Sequence, residues 1–144
     1  MPKAPASLRD RALGLLARRE HSRLELTRKL IRAGFPADEI APVLDEFETR
    51  NWLSGRRFAE SYVADHRARY GAIKLAYELR LRGIDDSIIE TVMSANRDTE
   101  LERALEIWRK KFGSLPATPA EKANQIRFMQ SRGFTLEVIR RAIG

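Results

Sequence analysis

Three glycines stand in matching sequence contexts and recur at an almost constant interval along the chain. Gly34, Gly83 and Gly133 are separated by 49 and 50 residues. Self-similarity at a fixed period is the signature of tandem supersecondary units, so we expect three repeats. The columns that align around the glycines are Leu30, Leu79 and Met129 four residues before, Phe35, Ile84 and Phe134 one after, Ile40, Ile89 and Ile139 six after, and Val43, Val92 and Ala142 nine after.

Each repeat is predicted to consist of helices. The segment before each glycine carries apolar residues at helical spacing, as in Leu26 and Leu30 or Ile73 and Leu79. The glycine that follows suits the left-handed residue that ends a helix. No segment combines sustained strand alternation with hairpin signals. The predicted fold class is therefore all-α, with three tandem three-helix repeats that form elongated, helix-turn-helix-like units.

The same periodicity predicts the boundaries. The SLPATP segment at 114–119 breaks the third repeat. We expect a flexible tail at 1–6 and three repeats over 7–50, 51–96 and 97–144. The nine predicted helices cover 7–19, 23–33, 37–49, 55–68, 72–82, 86–95, 98–112, 119–132 and 136–143.

Several helix starts carry capping signals. Ser22, Thr99 and Thr118 each precede a glutamate by three residues, which is the spacing of a capping box. Asp85 and Thr135 can each cap the helix that follows the repeated glycine. Pro36 stands at the equivalent position of the first repeat, where its fixed φ suits a helix start.

Basic side chains outnumber acidic ones, 27 against 20, and the net charge is +7. Residues 101–144 hold nine of the basic side chains and only four of the acidic ones. Such a surplus suits a polyanion or an acidic protein surface as partner, and it also serves solubility alone. Composition leaves both interpretations open.

Several kinds of chemistry lack their sequence signals. The chain has no cysteine, which excludes disulfides and thiolate zinc sites. It has no GxxxxGK[ST] phosphate cradle and no strand-linked GxGxxG. His21 and His66 lie in different repeats without metal-ligand spacing, so we expect two partly exposed histidines at helix ends. We predict that the chain is not an enzyme and needs no metal or other cofactor.

The sequence also favours a cytoplasmic location. No apolar run approaches the ~20 residues that cross a bilayer. The first ten residues, MPKAPASLRD, lack the apolar stretch of a signal peptide. We expect a cytoplasmic monomer that makes no membrane contact.

The first two repeats carry a specific residue pattern. One segment reads ALGLLARREHSRLELTRKLIRAGFPADEI, and the other reads WLSGRRFAESYVADHRARYGAIKLAYELRLRGIDDSII. Both resemble the RecX family of bacterial regulators, most specifically over 12–93. The residues that match are Leu15, Leu16, Arg19, Glu20, Ser22, Arg23, Glu25 and Leu26 in the first repeat, and Phe58, Ala59, Tyr62, Val63, Arg67, Gly71, Glu78, Leu79, Arg82, Gly83 and Ile84 in the second.

This resemblance implies a fold and a function. The family is built from tandem three-helix repeats, and its members bind the RecA filament along its groove. They restrain its ATPase and strand-exchange activities in recombination, DNA repair and the SOS response. One departure is the pair Ser54 and Gly55, because the family usually has acidic residues there. Ser54 can still cap a helix, so the departure does not change the expected fold. It affects only a contact that the acidic pair makes in other members of the family.

A groove-reading role on duplex DNA is a competing hypothesis, since each helix–Gly–helix unit resembles a helix-turn-helix. The second helix would then enter the major groove. In the first repeat that helix carries Asp38, Glu39, Asp45, Glu46 and Glu48, and phosphates repel such a helix. We therefore do not expect sequence-specific reading by all three repeats.

The helices before the glycines offer a better candidate surface. In the first, Arg28, Lys29 and Arg32 gather opposite the apolar side. Arginine and tyrosine are frequent at interface hot spots. We predict partner contacts, to the RecA filament or to DNA, at Arg28, Lys29, Arg32, Arg67, Lys74, Tyr77, Leu81, Arg127, Arg140 and Arg141.

Two further functions are compatible with the sequence. One is sequence-independent binding of single- or double-stranded DNA through the basic last third, which salt would weaken steeply. The other is a helical scaffold for an unrelated partner. If the partner is the filament, inhibition could come from clamping its subunits or from occupying the groove where strands exchange.

Overall fold

The computed structural model describes residues 7–144, and the expected tail at 1–6 lies outside the described residues. Over the described range, the chain forms nine α-helices, one 3-10 turn and no strand. The predicted all-α class is confirmed. The helices are α1 Leu8–Arg18, α2 Arg23–Arg32, α3 Ala37–Thr49, α4 Gly55–His66, α5 Ala72–Leu81, α6 Asp86–Asn96, α7 Glu100–Lys111, α8 Pro119–Ser131 and α9 Leu136–Ile143.

The helices pack as three groups of three, and each group encloses its own core. A three-helix unit buries the apolar stripe of each helix against the other two, which is why each unit can hold a separate cluster. The buried centres are Leu26, Leu30, Leu44 and Phe47 in the first unit, Phe58, Val63, Leu75 and Leu79 in the second, and Ala104, Met129, Phe134 and Ile139 in the third.

The repeated glycines end the second helix of each unit. Their φ values are 99°, 78° and 94° at Gly34, Gly83 and Gly133. In the first unit, the Phe35 N–H donates to the Leu30 carbonyl at 3.1 Å, and the Gly34 N–H donates to the Ile31 carbonyl at 2.9 Å. The other two units repeat both bonds. This is the Schellman motif, and it explains why apolar residues recur four before and one after each glycine.

Most of the predicted caps are present. Ser22 and Glu25 form the full capping box at the start of α2. The hydroxyl groups of Ser54 and Thr135 accept the backbone N–H three residues on, at the starts of α4 and α9. Thr118 caps α8 in the same way, although Glu121 accepts from the N–H of Ala117 instead of completing the box.

Two predicted caps are wrong. Thr99 makes no side-chain cap because residues 97–99 form a 3-10 turn, so α7 begins at Glu100 rather than at 98. The Thr99 hydroxyl instead donates to the Asn96 carbonyl at 3.3 Å. Asp85 precedes α6 but accepts no cap hydrogen bond.

Successive units meet through the glycine turns. A Cβ added at Gly83 would lie 3.0 Å from the Leu24 Cβ, near the start of α2. One added at Gly133 would lie 2.6 Å from the backbone nitrogen of Lys74, near the start of α5. The C-terminal ends of α5 and α8 therefore meet the N-terminal ends of α2 and α5, respectively. The helices α2, α5 and α8 form an end-to-end row.

The junction of the second and third units also supplies a helix cap. The N-cap residue of α5, Gly71, has no side chain to accept a hydrogen bond. The N–H groups of Gly71 and Ile73 donate to the carbonyls of Arg132 and Gly133, at 2.7 and 3.0 Å. The N–H of Ala72 donates to the Glu100 carboxylate at 3.2 Å. The third unit therefore satisfies donors that a helix start otherwise leaves unpaired.

Candidate partner-binding face

An apolar stripe on α5 faces away from the core. Ile73, Tyr77 and Leu81 follow one another at intervals of four residues and are 55%, 56% and 51% exposed. Leu75 and Leu79, on the opposite side of the helix, are fully buried. The stripe therefore does not serve the packing of its own unit. Contiguous exposed apolar residues of this kind mark interaction sites.

Tyr77 and Leu81 have exposed basic counterparts in other units, whereas the counterparts of Ile73 are the half-buried Leu24 and Ala123. Arg28, Tyr77 and Arg127 each lie six residues before a repeated glycine, and all three are exposed. Arg32 and Leu81 correspond in the same way, two residues before the glycine. Because α2, α5 and α8 stand end to end, these positions form one series along the molecule. We call the set Arg28, Arg32, Ile73, Tyr77, Leu81 and Arg127 the outer face.

Lys29 is not part of the outer face, because its half-buried side chain contacts the buried His21. Its ammonium group lies 2.8 Å from Nε2 of His21, while Nδ1 of His21 lies 3.1 Å from the Arg19 carbonyl. This arrangement fits a neutral imidazole that donates from Nδ1 and accepts at Nε2. His21 is 1% exposed, so the expectation of a partly exposed histidine is wrong for it. His66, at the end of α4, is half-buried.

The charges around His21 suit the neutral form. Burial lowers the pKa of His21, and the neighbouring cations Arg19 and Lys29 lower it further. Burial also lowers the pKa of Lys29. Burial alone would raise the pKa of Glu25, but hydrogen bonds from Arg19 and from the Ser22 N–H reverse that effect and lower it. The start of α2 is therefore a fixed polar cluster rather than a free basic patch.

Lys74 and Arg67 lie at the junction of the second and third units. The Lys74 ammonium group is 4.5 Å from the centroid of the Tyr70 ring, and its backbone packs on Gly133. Arg67 is exposed, while its carbonyl accepts a hydrogen bond from the Arg103 guanidinium at 2.9 Å. Lys74 lies on α5 itself, whereas the Arg67 guanidinium donates to the Asn96 side chain at the end of α6, at 3.4 Å.

Arg140 and Arg141 lie apart from the other predicted contacts. They occupy the last turn of α9 and are exposed. Within residues 7–144, no hydrogen bond or ion pair joins their side chains to α2 or α5. Nine of the ten predicted residues therefore divide into the outer face, the second junction and the end of α9, and the tenth, Lys29, contacts His21.

Ile73 is a surface residue that was not predicted. Its helical spacing from Leu79 indicated a place on the apolar side of α5, whereas the structure exposes more than half of it. The missed signal is its spacing of four residues from Tyr77 and eight from Leu81. Packing against the core requires only one apolar side of a helix, so the second apolar side of α5 is available for a partner.

Over residues 7–144, no group of three or more His, Asp or Glu side chains could hold a metal ion. The helices in the same range are all too short or too polar to span a membrane.

Comparison with known families matches each unit separately. The model described as the first three-helix domain of RecX matches residues 9–47. The models of the second and third three-helix domains match 56–93 and 98–143. Together they account for most of the chain.

Curated relatives match over nearly the full length. Regulatory protein RecX of Ralstonia pickettii is 45% identical over 143 residues, which cover 99% of this chain and 90% of the relative. The protein of the same name from Leptothrix cholodnii is 46% identical over 138 residues, covering 95% and 87%.

Solved structures share the fold. The crystal structure of RecX from Lactobacillus salivarius superposes with a TM-score of 0.81 at 19% identity, and covers 94% of this chain and 92% of that one. A second crystal structure, of a regulatory protein RecX, gives 0.83 at 18% identity over 94% and 70%. The sequence relatives and the three matched domains identify the chain as a member of the RecX family, a regulator rather than an enzyme.

Proposed function

We propose that the chain binds the RecA–DNA filament and modulates, mainly by inhibition, its ATPase and strand-exchange activities. Family membership supports the partner, because the relatives are regulatory proteins of the RecX family. RecA acts in the bacterial cytoplasm, and the proposal places this chain there as a monomer. Light scattering on the purified protein checks the monomeric state.

One observation carries the proposal: the outer face repeats an exposed position on three helices that stand end to end. A filament presents the same surface again and again along its axis. A partner with repeated, regularly spaced contacts can engage several subunits at once, and the linked contacts raise overall affinity without one strong site. This arrangement supports clamping of neighbouring subunits more directly than a single blocking contact.

The charges of the outer face suggest how contact is made. Arg28, Arg32 and Arg127 at the two ends suit acidic protein surface or nearby phosphates, and they would speed encounter. Ile73, Tyr77 and Leu81 at the centre supply apolar area that association removes from water. An aromatic centre with a charged surround resembles the anatomy of protein interfaces.

The charged part is tested by a matched pair of charge reversals in the first unit. Arg28→Glu changes the outer face, and Arg11→Glu makes the same change on α1. Both arginines are exposed, and over residues 7–144 neither side chain has a carboxylate within 4.0 Å. We expect only Arg28→Glu to weaken co-sedimentation of the protein with RecA filaments on single-stranded DNA. Equal binding by both variants would contradict the role of the face.

The apolar part is tested in the same way. Leu81→Ala and Leu115→Ala remove the same atoms from two exposed leucines, at 51% and 63% exposure. Leu115 lies in the segment between α7 and α8, outside the outer face. We expect weaker filament binding for Leu81→Ala alone, because only that side chain is buried on association. An equal loss of filament binding in Leu115→Ala would show that the loss does not depend on the outer face.

A clamp also predicts additivity across units. Arg28→Glu and Arg127→Glu lie in the first and third units, so each removes one of several linked contacts. We expect each variant to weaken filament binding and the double variant to lose about the sum of the two free energies. A double variant no weaker than Arg28→Glu alone would show that the third unit does not participate.

A further inference from the structure

A basic cleft lies where the second unit meets the third, away from the outer face. It has a volume of about 330 Å³ and opens between the turn after α4, the end of α7 and the end of α8. Four cations and two large apolar side chains line it: Arg69, Lys110, Lys111, Arg132, Ile107 and Phe128. Among the residues that the structure describes, no carboxylate lines the cleft. The wall therefore presents concentrated positive charge over an apolar floor.

Three of the four cations have no partner that would neutralise them. Over residues 7–144, no carboxylate lies within 4.0 Å of the side chains of Arg69, Lys111 or Arg132. Lys110 lies 3.7 Å from Glu106, but both side chains are more than half exposed. Such a surface pair contributes little and yields readily to a stronger anion. The cleft can therefore accept several negative charges.

Phe128 holds two of the cations in place. The Lys111 ammonium group is 5.2 Å and the Arg132 guanidinium 5.1 Å from the centroid of its half-buried ring. The Phe112 ring supports Phe128 from the side at 5.4 Å and 90°. Cation–π contacts of this kind attract the charges towards the floor without satisfying them as an anion would. The aromatic surface and the charges thus occupy the same space.

The backbone holds the two walls together. The carbonyl of Arg132 accepts from the Gly71 N–H, and the carbonyl of Gly133 accepts from the Ile73 N–H. Arg69 and Arg132 are carried by these two connected turns. The walls therefore keep their relation to each other, and a ligand would not need to bring them together. Preorganisation of this kind lowers the cost of binding.

We propose that this cleft binds single-stranded nucleic acid. The cations contact backbone phosphates, and one unpaired base contacts Phe128 and Ile107. Sites for single strands combine a basic groove with aromatic side chains on which bases stack. In a duplex the bases are stacked on one another, so no base face is available to contact Phe128. An acidic protein segment would meet the cations, but it would not need an aromatic floor wide enough for a base.

The proposal is independent of filament binding, and its test contains no RecA. Fluorescence anisotropy measures the affinity of the full chain for a labelled oligothymidylate and for a duplex of the same length. Lys111→Glu/Arg132→Glu reverses two cations of the cleft. Arg11→Glu/Arg18→Glu makes the same change in net charge at two exposed arginines of α1, outside the cleft. Thermal melting verifies that both variants fold.

We expect the cleft variant to bind oligothymidylate at least about tenfold more weakly, and the control within about threefold of the parent. The salt dependence of the remaining binding should become shallower, because fewer counterions are released. Equal losses in the two variants would show diffuse charge attraction and overturn the proposal. So would a parent protein that fails to bind oligothymidylate at physiological salt.

The floor is tested by Phe128→Leu, which keeps an apolar side chain but removes the ring. We expect about fivefold or greater loss of oligothymidylate affinity, because stacking on an aromatic ring contributes on this scale. Binding of the duplex should be unchanged. Unchanged oligothymidylate affinity would show that no base contacts Phe128. If the cleft variant keeps this binding but loses the RecA filament, the cleft serves a protein partner and the proposal fails.

Discussion

Gly34, Gly83 and Gly133 share a left-handed backbone, but they differ in what lies beside them. Among residues 7–144, nothing lies within 4 Å of a Cβ added at Gly34. A Cβ at Gly83 would touch Leu24, and one at Gly133 would overlap the backbone of Lys74. The last two glycines therefore end a helix and also permit the close approach of the previous unit.

This difference predicts unequal effects for the same substitution. In Gly34→Ala and Gly133→Ala, the left-handed backbone costs about 1–2 kcal/mol in each. Only Gly133→Ala adds a clash with the neighbouring unit, at about 1–3 kcal/mol. We therefore expect the larger loss in free energy of unfolding, measured by urea denaturation, in Gly133→Ala. Equal losses would show that the junction tolerates a methyl group.

His21 is the residue whose protonation should affect stability. Its pKa is lowered below 6.5 by burial, so the unfolded chain takes up the proton first as the pH falls. Between the two pKa values the unfolded state binds more protons, and the free energy of unfolding decreases as pH falls. A protonated His21 would also face the cations Arg19 and Lys29, with Glu25 as the nearby anion.

We therefore expect stability to fall between pH 7 and pH 5, above the range where Glu25 contributes. In His21→Gln the decrease in the free energy of unfolding should be smaller, because no imidazole titrates there. This comparison does not depend on the stability of the variant at pH 7. Urea denaturation at pH 7, 6 and 5 measures the difference. Parallel losses in both proteins would assign the pH dependence to another group.

At the scale of the element, the helices were largely predictable and the capping of α5 was not. The Ser22, Ser54 and Thr135 caps are local, so the residues that make them stand three positions apart in the sequence. The start of α5 instead takes its acceptors from Glu100 and from the turn at 132–133. No local pattern encodes a partner that lies 28 or more residues away.

This long-range cap predicts a local effect. Glu100 is 8% exposed and accepts from the Ala72 N–H, whereas Glu102 on the same helix is exposed. In Glu100→Ala, the N–H of the half-buried Ala72 loses its partner, and the loss for a fully buried donor would be about 1–3 kcal/mol. We expect faster hydrogen exchange at the amide of Ala72 in Glu100→Ala, and an unchanged rate in Glu102→Ala. Equal rates would mean that Glu100 does not hold the start of α5.

The same distinction explains which surfaces the sequence could predict. Arg28, Tyr77 and Arg127 are recognisable because they share a position relative to the repeated glycines. The basic cleft combines Arg69 of the second unit with Lys111 and Arg132 of the third, and its parts meet only when the units pack. The excess of basic residues after position 100 indicated that the last third of the chain is basic, but it did not indicate which residues form the cleft.

At the scale of the whole molecule, three units with separate cores join through short turns. The outer face runs along α2, α5 and α8, and the cleft lies at the second junction. The protein can therefore offer a repeated surface to a filament and a basic cleft to a single strand. In this arrangement Tyr77 is central, since it stands on the middle helix of the row.

Tyr77 tests whether the outer face is a binding surface. Its exposure of 56% argues against a role in packing, so Tyr77→Ala should change the free energy of unfolding by less than about 0.5 kcal/mol. The same substitution should weaken binding to the RecA filament, because tyrosines of this kind are frequent hot spots. Thermal melting and co-sedimentation separate the two effects. A large drop in melting temperature would reassign Tyr77 to the fold.

The DNA-dependent ATPase of RecA tests the proposed inhibition most directly. We would titrate RecA on single-stranded DNA with the parent protein and with Tyr77→Ala, and follow phosphate release. We expect substoichiometric amounts of the parent to lower the rate, since one bound molecule would contact several subunits. Tyr77→Ala should require more protein for the same effect. An unchanged rate in the presence of excess parent protein would contradict the proposed function.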